Sequence, residues 1–163
     1  MLLETISLNL SSPPLSDDIL RVSKLYLFLL PTSGTSTRET IAVCVVAQQI
    51  ETAMAIAPPS DSESTTPQSS PSTTDLVVVD TDTGLHCLPA PLPTSMGIPR
   101  LFVPTTYRRV GIARKLLDAA AHTFIHGCKL DPRAGDVAFT QPTQSGRAVM
   151  ENWGGASVRI YQE

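Results

Sequence analysis

The sequence has 163 residues, 42% of them hydrophobic and 17% charged, with a formal net charge of −3. That length closes one hydrophobic core but not two, so a single domain over 1–163 is expected, and the composition is that of a folding chain. The negative balance excludes a general nucleic-acid binder, which needs a positive field to displace counterions from phosphate.

From Met1 to Leu10 there is neither the basic start nor the long apolar run of a secretory signal, and no later stretch approaches the roughly 20 apolar residues of a membrane span. Val22 to Leu30 is rich in aromatic and branched residues and predicts a strand, closed by a hairpin loop over Pro31–Ser36. Ile41 to Ala47 is apolar on both parities, the pattern of a central strand buried on both faces. A disordered insertion is expected at about 57–75, where Ser, Thr, Pro, Asp, Glu and Gln dominate and too little apolar area exists to offset chain entropy.

Leu76–Val79 resumes order, with Gly84 and Pro89–Pro93 read as punctuation. A second strand covers Ile98–Val103, where Pro99 withdraws an N–H and predicts a bulge or an edge. Pro104–Tyr107 is a turn. Apolar residues at 112, 113, 116, 117, 120, 121 and 124 then mark an amphipathic helix, its core face formed by Ile112, Leu116, Leu117, Ala120 and Phe124. Gly127 ends it. Val137–Thr140 reads as a short strand, about Ser145–Asn152 as a second helix, and Ala156–Tyr161 as a final strand. This alternation is an α/β (α+β) arrangement.

Three cysteines at wide, irregular spacing make neither a disulfide framework nor a zinc site, and they fit a reducing intracellular compartment. Cys128 reads as a small buried hydrophobe rather than a nucleophile. His122 and His126 can share a helix face, yet no cysteine or carboxylate completes a metal set, and His86-Cys87 is isolated; no metal is expected.

The chemistry concentrates at Arg108-Arg109-Val110-Gly111-Ile112-Ala113, where a strand gives way to a helix. First-turn N–H groups there point at one spot with the helix dipole behind them, which suits an anion. Gly111 permits close backbone approach, Ala113 is small, and Arg108, Arg109 and Arg114 add positive charge. A pyrophosphate is the natural guest. Between Gly97 and Leu130 the sole carboxylate is Asp118, against six basic residues.

This loop resembles the acetyl-CoA loop of the GNAT acetyltransferases. Gly97-Ile98-Pro99-Arg100-Leu101-Phe102-Val103, Tyr107 to Asp118, Phe124-Ile125-His126-Gly127 and Ala138 to Gly146 succeed one another as in the cohesion-establishment acetyltransferases of the Eco/ESCO type. The resemblance covers the chain from Gly97 onward, more thinly upstream at Leu25–Leu30 and Ile41–Gln49. It implies the GNAT fold, a mixed and mostly antiparallel sheet flanked by helices. It also implies transfer of acetyl from acetyl-CoA to a lysine of the cohesin SMC subunit, in the nucleus, with replication machinery met through N-terminal regions. The family's C2H2 zinc finger has no counterpart here, being either trimmed from this chain or absent from its gene.

By the same resemblance, the backbone of Leu101, Phe102 and Val103 pairs with the pantetheine arm. Arg108, Arg109, Val110, Gly111, Ile112, Ala113 and Arg114 hold the pyrophosphate, and Thr143, Gln144 and Ser145 close over the cofactor. Thr143 to Ser145 also reads as a plain helix cap. The family's two acidic catalytic positions fall on Asp118 and Gln141. Gln141 cannot take a proton but can orient the acceptor lysine, so either Asp118 acts alone or solvent removes the proton. Two further readings remain open: a cohesin-binding regulatory module that keeps the cofactor without turnover, and a GNAT enzyme for a small amine.

Overall fold

The computed structural model describes residues 2–31, 39–57, 77–80 and 85–162. Helices α1 (Leu2–Asn9) and α2 (Asp17–Arg21) lead into strands β1 (Ser23–Pro31), β2 (Glu39–Gln49), β3 (Thr52–Ile56), β4 (Val77–Asp80), β5 (Leu85–Pro93) and β6 (Met96–Phe102). Then come α3 (Ile112–Thr123), β7 (Val137–Phe139), α4 (Gln144–Gly154) and β8 (Arg159–Ile160). The strands form one sheet in the order β1-β2-β6-β7-β8-β3-β5-β4. It is parallel at β6–β7 and β7–β8 and antiparallel at the other contacts, the mixed sheet expected. The loop after Pro31 and the Ser/Thr/Pro-rich stretch after Ala57 lie outside the described residues.

β2 is buried on both faces because its apolar residues fill both parities. Val43, Val45 and Ala47 join the main core with Leu116, Leu117 and Ala121 of α3, whereas Cys44 and Val46 lie in a second cluster with Ile6 of α1. Each fully buried aliphatic side chain contributes about 1.5–3 kcal/mol. The strand sits one position in from the β1 edge rather than at mid-sheet.

The same burial pushes the Cys44 thiol from its ordinary 9.0 up to about 11, and raises Cys87 as well, because a thiolate is poorly solvated there. Cys128, expected inside, is exposed. It lies after α3 in a tight turn bridged by Ile125 and Cys128, where small size does not bring burial. A thiol reagent at neutral pH should therefore label one cysteine quickly and the other two only on unfolding. The folded Cys44 holds its proton more tightly than the unfolded one, so this stabilisation is complete below 9.0 and is lost as pH climbs toward about 11. Thermal melts across that window should fall less for Cys44→Ala than for the parent chain.

The Pro89–Pro93 stretch is strand, not punctuation. Thr94 N–H donates to Glu51 O and Ala57 N–H to His86 O, so these two positions face β3, with a register shift between Met54 and Ile56 lying between them. Pro91 and Pro93, opposite Met54 and Thr52, alternate with Thr94 and turn their nitrogens away from β3, and Pro89 falls at the register shift. A missing N–H at such a position costs no bond to β3, which is how a strand accommodates proline. The last strand is shorter than expected: Gly155–Ser157 form a 3-10 turn and only Arg159–Ile160 are strand.

A bulge in β6 sets the direction of the chain as it leaves the sheet. Val46 pairs with Arg100 but Gln48 with Gly97, so three steps on β6 oppose two on β2 and the extra residue falls at Ile98–Pro99. This is the bulge that the missing Pro99 N–H predicts. Pairing to β7 runs from Met96 to Ile98 and stops, so the two parallel strands part there. From Arg100 onward β6 pairs with β2 alone among the described strands.

Candidate active site

The loop after β6 enters α3 through Gly111, which lies in the left-handed region (φ 78°) and has no side chain with which to cap the helix. The N–H groups of the first turn are thus left for an outside acceptor, with the positive end of the dipole behind them. Arg109 is also left-handed (φ 63°), an unfavourable conformation for a residue with a Cβ. Arg108 folds back so that its Nε donates to Val103 O (3.2 Å), tying the loop to the end of β6.

Two cavities lie against this framework. One, of about 500 Å³, runs between the loop, α3 and α4, and is lined by Arg108, Arg109, Gly111, Ala113 and Arg114 on one side and Thr143, Ser145, Ala148, Val149, Asn152 and Trp153 on the other. Leu101 and Val103 form its floor. Phe102, Val110 and Ile112 do not line it. Strand alternation sends Phe102 toward the Cys44–Val46 cluster, Ile112 packs on the main core and Val110 is exposed. Gln144 is the first residue of α4, its side chain outside the described part. Thr143 lines the cavity, and its Oγ1 accepts from Gly146 N–H at 3.2 Å, which is the helix cap read from the sequence. Tyr107 and the α4 positions 148, 149, 152 and 153 were missed, although Ser145, Ala148, Val149 and Asn152 repeat at helical spacing and so share one face.

The second cavity, of about 580 Å³, lies where β6 and β7 part. Its walls are Ile98–Leu101, Phe139–Thr143, Tyr161 and Leu10–Pro13. The latter segment is shaped by the end of α1: Ser11 N–H donates to Leu8 O and Ser12 N–H to Ser7 O, with Ser11 left-handed (φ 50°), a Schellman turn. Arg100 Nη2 donates to Pro13 O (2.9 Å) and holds that turn against β6. Gln141 lines this cavity, and among the described residues no carboxylate does. Asp118 lines neither cavity; its Oδ1 accepts from Trp153 Nε1 at 2.7 Å. Leu101, Thr143 and Gly146 are common to both cavities, which therefore meet at the end of β6.

Residues 92–161 match the family model for the ESCO1/2 acetyl-transferase. The chain is 48% identical to the N-acetyltransferase ECO1 of Yarrowia lipolytica over 71 residues, 44% of this chain and 25% of that protein. It is 31% identical to human N-acetyltransferase ESCO2 over 124 residues, 76% of this chain and 18% of that one. The chain thus spans about a quarter or less of these relatives. The xEco2 acetyltransferase domain bound to a K105-CoA conjugate superposes with a TM-score of 0.72 at 21% identity, over 99% of this chain and 81% of that one, which establishes a shared fold.

Proposed function

We propose that this chain, an Eco/ESCO-type acetyltransferase domain, transfers acetyl from acetyl-CoA directly to a lysine of the cohesin SMC subunit and so acts in the nucleus in sister-chromatid cohesion. The observation that carries the reading is the meeting of the two cavities at Leu101, Thr143 and Gly146. One groove is built for an anionic, elongated donor and the other is free for an acceptor, so both substrates can be held at once with their reacting atoms near contact.

The residues fit acetyl-CoA. Arg108, Arg109 and Arg114 with the uncapped turn of α3 suit its phosphates, Ala113 leaves room, and the edge of β6 beyond Ile98, which no described strand pairs, offers backbone groups to a pantetheine amide. The bound thioester supplies the activated acetyl group. On the acceptor side a lysine must be neutral to attack, and Gln141 and Thr140 can hold its nitrogen by hydrogen bonds without taking its proton, which passes to solvent.

The test is mass spectrometry of a cohesin SMC head incubated with the purified chain and acetyl-CoA. One acetylated lysine, absent when the chain is omitted, is expected; an unmodified head would sink the reading. A second reading, a cofactor-binding regulatory module without turnover, is favoured by the absence of any carboxylate in the acceptor cavity among the described residues. Calorimetric binding of acetyl-CoA together with an unmodified SMC head would select it.

A further inference from the structure

Asp118 stands at the start of a chain of contacts that joins the two cavities. It lies on α3, with Oδ1 2.7 Å from Trp153 Nε1 on α4 and Oδ2 3.9 Å from Arg114 Nε. Trp153 is 5% exposed and walls the donor groove. Its indole meets Phe139 edge-on, with centroids 6.3 Å apart and planes at 84°. Phe139 belongs to β7 and walls the acceptor cavity. Three elements are thereby linked in sequence: α3, α4 and β7.

We propose that Asp118 is a positioning residue: its carboxylate fixes the Trp153 indole, and through it Phe139, so that the donor groove and the acceptor cavity stay aligned. A buried indole N–H needs an acceptor, and a carboxylate gives a short charge-assisted bond that sets the ring plane. One oxygen is committed to that N–H and the other faces Arg114, so neither is turned toward the acceptor cavity. Proton removal from the amine is therefore not its task. This rests on the acetyltransferase reading for its kinetic consequences and on the hydrogen bond alone for its structural ones.

The two roles separate cleanly by substitution. Asp118→Asn keeps an oxygen that accepts from the indole but has no useful basicity; Asp118→Ala removes the acceptor; Trp153→Phe keeps a ring but removes the N–H. In full-chain protein, Asp118→Asn should stay within about threefold of the parent in kcat/KM, with an unchanged pH–rate profile. Asp118→Ala and Trp153→Phe should each lose roughly tenfold, and the double variant should be little worse than either, as expected of two partners in one contact. Trp153 is the only tryptophan, so its indole N–H resonance reports the bond directly. That resonance should move less in Asp118→Asn, which keeps an acceptor, than in Asp118→Ala, which has none.

An Asp118→Asn chain as inactive as Asp118→Ala would overturn the proposal and restore Asp118 as a base, as would additive losses in the double variant. Should the parent chain acetylate nothing, the function reading fails, and the indole resonance with acetyl-CoA affinity across the same variants still decides the positioning role. An indole signal indifferent to Asp118→Ala would then refute it.

Discussion

Gly97→Ala is expected to destabilise the fold by about 3 kcal/mol and lower the melting temperature by roughly 6–12 °C, a large effect for one methyl group. A Cβ at this position would lie 2.7 and 2.8 Å from ring carbons of Tyr161 and 2.9 Å from a methyl of Ile50. The ring has no room to yield, since Tyr161 is 6% exposed and its hydroxyl accepts from Gln48 Nε2 at 3.0 Å, in a buried pair. Either β6 moves away from the ring, which strains its pairing with β2 and β7, or the buried Gln48–Tyr161 bond breaks. Tyr161 also walls the acceptor cavity, so acceptor turnover should fall even at temperatures where the variant is folded. Thermal and urea denaturation check the first part; a melt within about 2 °C of the parent would show that the ring can move after all.

The features readable from the sequence were those in which one local rule settles the outcome. The period of Ile112 to Phe124 fixes an amphipathic helix whichever partner it meets, and a glycine before it suits a left-handed turn. Pro99 at a bulge is similar, because a missing N–H must fall where a strand is not fully paired. Pro89, Pro91 and Pro93 misled for the opposite reason. A proline disrupts a ladder only on the side its nitrogen faces, and that side depends on where β3 and β4 lie, which no local pattern states. The donor groove was half legible. Its loop wall is contiguous in sequence, whereas the α4 wall and the Trp153–Asp118 bond join positions 35 residues apart, and only the folded chain shows that Asp118 bonds an indole on α4.

Gly111→Val should weaken acetyl-CoA binding by roughly 30-fold, about 2 kcal/mol, while leaving the melting temperature nearly unchanged. A Cβ at Gly111 would meet nothing within 4 Å; the cost of the substitution is conformational, because φ of 78° is strained for any residue with a Cβ and most of all for a branched one. The loop tip is exposed and can relax when empty, so the fold does not carry that strain. Binding must restore the left-handed turn to bring the first N–H groups of α3 onto the phosphates, and the strain then appears in the dissociation constant. The loss should therefore track the phosphates of the ligand. Acetyl-pantetheine, which lacks the pyrophosphate, would reach only Leu101, Val103 and the α4 wall, and its weak binding should be the same to Gly111→Val and to the parent. Equal losses for both ligands in calorimetry would mean that the turn shapes the whole groove rather than serving the phosphates.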